Sequence, residues 1–170
     1  MTESLKFDAE GAAAVVHAAT TFDWSWNVGD IERFGSALGW KPDDFGNEST
    51  VFMTTRMQID QPDAWFNLTG EAIDDVTFNV SDSVNSSKQE LLDDAFVAIE
   101  ERLSEVLGSS TRSSGRRPGL AWEGGPFVGR LVQLDEGITM SLIRPEYQRI
   151  SDEHEARGLR SKCCRSAFDY

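Results

Sequence analysis

Cysteine and histidine are nearly absent from this chain. The two cysteines, Cys163 and Cys164, are neighbours, and the two histidines, His17 and His154, stand far apart. Adjacent cysteines rarely bridge each other and one pair cannot staple a fold, so a disulfide scaffold is excluded. His-Glu-x-x-His and Cys-x-x-Cys spacings are missing, which leaves no frame for a tetrahedral transition-metal site. Aspartate pairs occur, but a calcium loop needs alternating oxygen ligands, a central glycine and a closing glutamate, and no segment supplies them. The glycine-lysine signature of a phosphate cradle is missing as well. No metal, no cofactor and no catalytic residue is expected.

Long apolar runs are equally scarce. "GAAAVVHAA" (11–19) falls well short of the roughly 20 residues that cross a bilayer, and no basic stretch precedes it. The expectation is a cytoplasmic protein with reduced thiols and no membrane contact.

Basic residues are the third shortage, and it is local. Positions 1–110 hold 21 acidic and 6 basic side chains, a net −15, whereas 111–170 carry 8 and 10, a net +2. The whole chain stands at −13. Such a field repels nucleic-acid phosphates and anionic lipid, and it draws basic surfaces in at enhanced rates. It also serves solubility alone in many domains.

What is present is enough for one domain. The 170 residues are 39% hydrophobic and 26% charged, sufficient to bury a core. Residues 8–19 read as a helix with Ala12, Val15, Val16 and Ala19 on one face. From residue 51 the period becomes two: Val51, Met53, Thr55, Met57 and Ile59 alternate with Phe52, Thr54, Arg56 and Gln58, and "AWFNLTG" (64–70) and "VTFNVSD" (76–82) follow. "VNSSKQELLDDAFVAIEERLSEVLG" (84–108) is a long helix, with Ser86 or Ser87 as cap. It carries the apolar stripe Leu92, Ala95, Phe96, Ile99, Leu103, Val106, Leu107. "SSTRSSGRRPG" (109–119) has loop composition. Strands at 120–124, 127–134 and 138–143 precede a polar helix from Pro145 to about 157. The expected architecture is α+β, a single antiparallel sheet of about five to six strands with helices packed on one face. Residues 1–157 form that domain, and 158–170 a basic, mobile tail.

"FDWSWNVGDIERFGSALGW" (22–40) admits three readings. Asn27 can cap a helix over 28–38, with Asp30 approximating a capping box and Ile31, Phe34 and Leu38 as its apolar stripe. Gly39 can then supply a left-handed helix end, folding Trp40 back onto Phe34. As a DNA-reading helix-turn-helix, the segment would need a basic second helix, but "KPDDFGNEST" is acidic and interrupted by Gly46. Trp24 and Trp26, one residue apart on an extended lead-in, share a side; they either pack inward or present an aromatic anchor to a partner.

Trp24-x-Trp26, Asp30-Ile31-x-Arg33-Phe34, Leu38-Gly39-Trp40, "DDAFVAIEERLSEVLG", "GLAWEGG" and "SLIRPEYQ" together resemble an uncharacterised actinobacterial family, a domain of unknown function, over roughly residues 22–148. The shared residues are mostly apolar or end helices, so the resemblance implies a common fold and carries over no site residue. Small acidic proteins of this kind are often encoded near secreted polymorphic toxins, which by association implies an immunity role.

The expected function is therefore a non-enzymatic immunity protein that binds a basic partner, a secreted toxin domain, through an acidic surface. The expected contacts are carboxylates of the long helix and neighbouring loops: Asp74, Asp75, Asp93, Asp94, Glu100 and Glu101, with Trp24 and Trp26 as aromatic anchors. A secretion chaperone that holds an extended client on an apolar patch or an exposed sheet edge is the alternative. A third class, a ligand-binding domain or small enzyme, would use an interior pocket lined by Phe52, Trp65, Phe78 and Trp122.

Overall fold

The computed structural model of the chain describes residues 4–113, 119–123 and 125–156. Helices α1 (Ala9–Thr21) and α2 (Gly29–Leu38) lead into strands β1 (Lys41–Asn47), β2 (Thr50–Thr54), β3 (Asp63–Thr69) and β4 (Ala72–Asn79). A short 3-10 turn (Ser86–Lys88) opens α3 (Gln89–Leu107). Strands β5 (Thr111–Ser113), β6 (Gly119–Trp122), β7 (Val128–Gln133) and β8 (Ile138–Ile143) follow, and α4 (Pro145–Ala156) comes last. The tail 158–170, with Cys163 and Cys164, lies outside the described residues.

The eight strands form one open antiparallel sheet in the order β1-β2-β3-β4-β8-β7-β6-β5. Two four-stranded meanders, separated in sequence by α3, meet where β4 pairs with β8. The sheet is thus wider than the five to six strands expected, because β1 and β5 were not legible as strands. Both are edges. β1 contains Pro42, Asp43 and Gly46, and its register shifts between Pro42 and Gly46. Loop composition and a break in the ladder suit an edge, where a missing donor costs little and further strand addition is discouraged.

Period two explains the layering. Met53, Ala64, Phe66, Val76, Phe78, Leu131, Met140 and Leu142 point to one face and join Ala12, Val15, Val16, Phe34, Leu92, Ile99 and Leu103 in a single core. The α3 stripe lies as expected, with Leu92, Ala95, Ile99 and Leu103 buried. Alternation persists beyond the end of β2: Thr55, Met57 and Ile59 are buried while Arg56 and Gln58 are exposed. Helices α1, α2 and α3 cover this face, and no described residue of α4 belongs to the core.

Local signals set the helix ends. Asp8 caps α1 by accepting the Gly11 N–H. At the end of α2, Gly39 takes φ +71, which an L side chain resists, and Trp40 N–H reaches the Gly35 carbonyl at 2.8 Å. The Trp40 ring meets Phe34 edge-on at 5.6 Å, the expected brace. The start of α2 differs from expectation. The Asn27 side chain accepts the Gly29 N–H, and the Asp30 side chain reaches back past it. In the 3-10 turn ahead of α3, Asn85 and not a serine is the cap, its Oδ1 accepting from Ser87 N–H, and α3 itself starts after Lys88 without a side-chain cap. The second helix of a helix-turn-helix would lie where β1 runs, so that geometry is excluded.

Candidate functional site

The lead-in to α2 is built around a fully buried carboxylate. Asp30 Oδ2 accepts the backbone N–H groups of Ser25 and Trp26, both at 2.8 Å. Its Oδ1 accepts the Ser25 hydroxyl at 2.8 Å and Arg33 Nη1 at 2.7 Å. These contacts hold Trp26 at φ +59, the one non-glycine positive φ among the described residues. A tryptophan in the left-handed region is strained, and such strain persists only where surroundings over-determine it. The hairpin between β3 and β4 completes the clamp: Ile73 N–H donates to the Trp26 carbonyl and Val28 N–H to that of Glu71. Trp24 and Trp26 do share a side, stacked 4.4 Å apart at 12°. Both are half-buried against the core, and Trp24 Nε1 donates to the Ala19 carbonyl.

A second polar cluster arises from a β-bulge. The pairing of β3 with β4 shifts between Asn67↔Asp75 and Leu68↔Ile73, which makes Asp74 the extra residue. Ile73 and Val76, three apart, can therefore both reach the core, leaving Asp74 and Asp75 side by side between them. Both are buried, at 6% and 8% exposure. They do not lie on a loop or a helix surface, contrary to the sequence expectation, because the bulge draws them into the sheet. Asp74 accepts from the Thr69 hydroxyl and from Arg144 Nη2. Asp75 accepts from Asn67 and Thr77, and Thr77 bonds Ser141 across to β8 at 2.8 Å. Burial pushes the Asp75 carboxyl up to about 6, against the pull of its two hydrogen bonds and helped by the neighbouring Asp74 charge.

An open groove of about 730 Å³ joins the two clusters. Trp26, Asn27, Thr69, Glu71, Arg144 and Glu146 line it, among others. Arg144 lies between Asp74 and Glu146 at 3.3 Å from each. No spacing in the sequence announces that Asp74 and Arg144, 70 residues apart, would meet. The arrangement can grip a side chain or small polar group.

The carboxylates of α3 form a separate surface. Asp93, Asp94 and Glu101 are exposed and Glu100 is half-buried. Asp93 accepts from Gln133 at 2.7 Å, while Arg102 pairs with Glu10 and Glu105. This face and the bulge carboxylates are thus not one patch. The aromatic pocket does not assemble either: Phe52 and Trp65 pair at 6.5 Å on the sheet face away from the core, whereas Phe78 and Trp122 are buried within it. Among the described residues no group of three or more His, Cys, Asp or Glu side chains is placed to hold a metal ion. No helix among them is long and apolar enough to cross a membrane.

Fold and surface together define an α+β protein with an open antiparallel sheet, an acidic helical face and a tryptophan-walled groove. The chain belongs to DUF6301, a family of unknown function, whose pattern matches residues 10–144. The match takes in α1 through β8 and ends at Arg144, one residue short of α4. Neither the curated proteins nor the solved structures gave a match.

Proposed function

We propose that this protein is a non-enzymatic immunity protein that neutralises a toxin domain by covering a basic surface on it. The observation that carries the reading is the outer face of α3. Asp94 and Glu101 project there with no ion-pair partner among the described residues, beside exposed Asp93, within a region of net −15. Carboxylates that satisfy nothing within their own fold, in a field of one sign, suit recognition of an oppositely charged partner. Occlusion requires no bond-making residue on this side. The chaperone reading has weaker support: edge strand β1 is interrupted between Pro42 and Gly46, which suits strand addition poorly.

Co-expression with the protein encoded by the adjacent gene tests the proposal. Protection of the host and co-purification of the pair are expected, both reduced when Asp93, Asp94, Glu100 and Glu101 are neutralised together. Absence of binding and of protection would overturn it.

A further inference from the structure

The groove beside Trp26 has a chemistry of its own. Trp24 stacks on one face of the Trp26 indole, and Trp26 lines the groove. Glu71, in the turn between β3 and β4, is exposed, and the Glu146 side chain is 64% exposed. Arg144 supplies the single positive charge, and Asp74 and Glu146 already embrace it. Counting Glu71 and Glu146 against Arg144, the groove's lining carries a net −1.

An indole face attracts cations through its quadrupole, and a planar guanidinium combines that stacking with bidentate pairing to carboxylates. The position of the ring is fixed in advance. Asp30 holds the Trp26 backbone N–H, and Ile73 holds its carbonyl, so little ordering remains to be done on binding. Aromatic side chains held rigidly in a recess typify interface hot spots.

We infer that this groove is a docking site for an arginine side chain of the protein partner, stacked on Trp26 and paired with Glu71 and Glu146. The inference rests on the reading of a basic partner and adds a second contact, distinct from the α3 face. Charge complementarity selects the occupant: an acidic segment would meet Glu71 and Glu146, and an apolar one would strand Arg144 and both glutamates.

The test is titration of tri-arginine peptide into the ¹⁵N-labelled full chain at low salt, following tryptophan indole N–H signals. Tri-lysine and tri-glutamate serve as comparisons, and Trp26→Gly assigns the signal. A saturable shift of the Trp26 signal is expected with tri-arginine, weaker with tri-lysine and absent with tri-glutamate. E71Q/E146Q, a surface variant that leaves the Asp30 clamp in place, should weaken tri-arginine binding by about fivefold or more. Three results would overturn the inference: shifts spread evenly over the acidic surface, affinity unchanged in E71Q/E146Q, or preference for tri-glutamate at Arg144. Failure here with a partner still sensitive to the α3 substitutions would remove the groove and leave the proposed function standing.

Discussion

The Asp30 carboxylate holds Trp26 in the left-handed region, accepting the Trp26 N–H at 2.8 Å while the tryptophan stays at φ +59. Asp30 is fully buried and satisfies four donors from Ser25, Trp26 and Arg33. Asp30→Ala should therefore destabilise the fold by about 2 kcal/mol, since it leaves two part-buried backbone donors and a hydroxyl without their acceptor. Asp30→Asn, which keeps one acceptor oxygen, should lose less. Urea denaturation of both variants checks the order; equal losses would show that charge matters more than acceptor count.

Trp26 offers a contrast rarely available. At a negative φ, alanine is tolerated at least as well as glycine, but in the left-handed region glycine is favoured by about 1 kcal/mol. Trp26→Gly should be the more stable of the two truncations. Denaturation midpoints decide it, and a more stable Trp26→Ala would mean the turn relaxes once the ring is gone.

Asp75 makes stability depend on pH in an unusual direction for a carboxylate. Its folded carboxyl lies at about 6, above the ~3.9 of an unfolded aspartate, so the native state holds the proton more tightly. Its contribution is fully present below about pH 4 and is lost as pH rises through about 6. Asp75→Asn can still accept from Asn67 and Thr77 through its carbonyl oxygen. It should be more stable than the parent by about 1–3 kcal/mol at pH 7.5, with the gain vanishing near pH 4. Denaturation across that range tests it. A penalty independent of pH would show that Asp75 is ionised at no cost in the fold.

The helices and the central strands were legible because their signals are local. The stripe from Leu92 to Leu107, the alternation around Met53 and the Gly39–Trp40 helix end each fit within a few turns of chain. Edge strands β1 and β5 were not, because Lys41–Asn47 and Thr111–Ser113 gain their pairing from neighbours and carry loop chemistry. The bulge was hidden for a different reason. Asp74-Asp75 reads as a turn, and only the register of β3 on β4 turns an extra residue into two buried carboxylates. The groove likewise depends on Arg144 meeting Asp74 across the sheet. That Trp24 and Trp26 share a side could be read from their spacing, but their stacking and the strain at Trp26 could not.

The rate at which the protein associates with the one encoded by the adjacent gene, followed as ionic strength rises, tests the central claim most directly. Between about 0.01 M and 0.15 M salt the Debye length contracts from roughly 30 Å to 8 Å. If the −15 of residues 1–110 steers a basic partner onto α3, association should slow by tenfold or more, on the order of the steering seen for charged pairs, with dissociation changing much less. Neutralising Asp93, Asp94, Glu100 and Glu101 together should reproduce part of that slowing at low salt, with the fold intact because none of the four is fully buried. An association rate indifferent to both salt and substitution would contradict the account and leave the charge as a solubility feature.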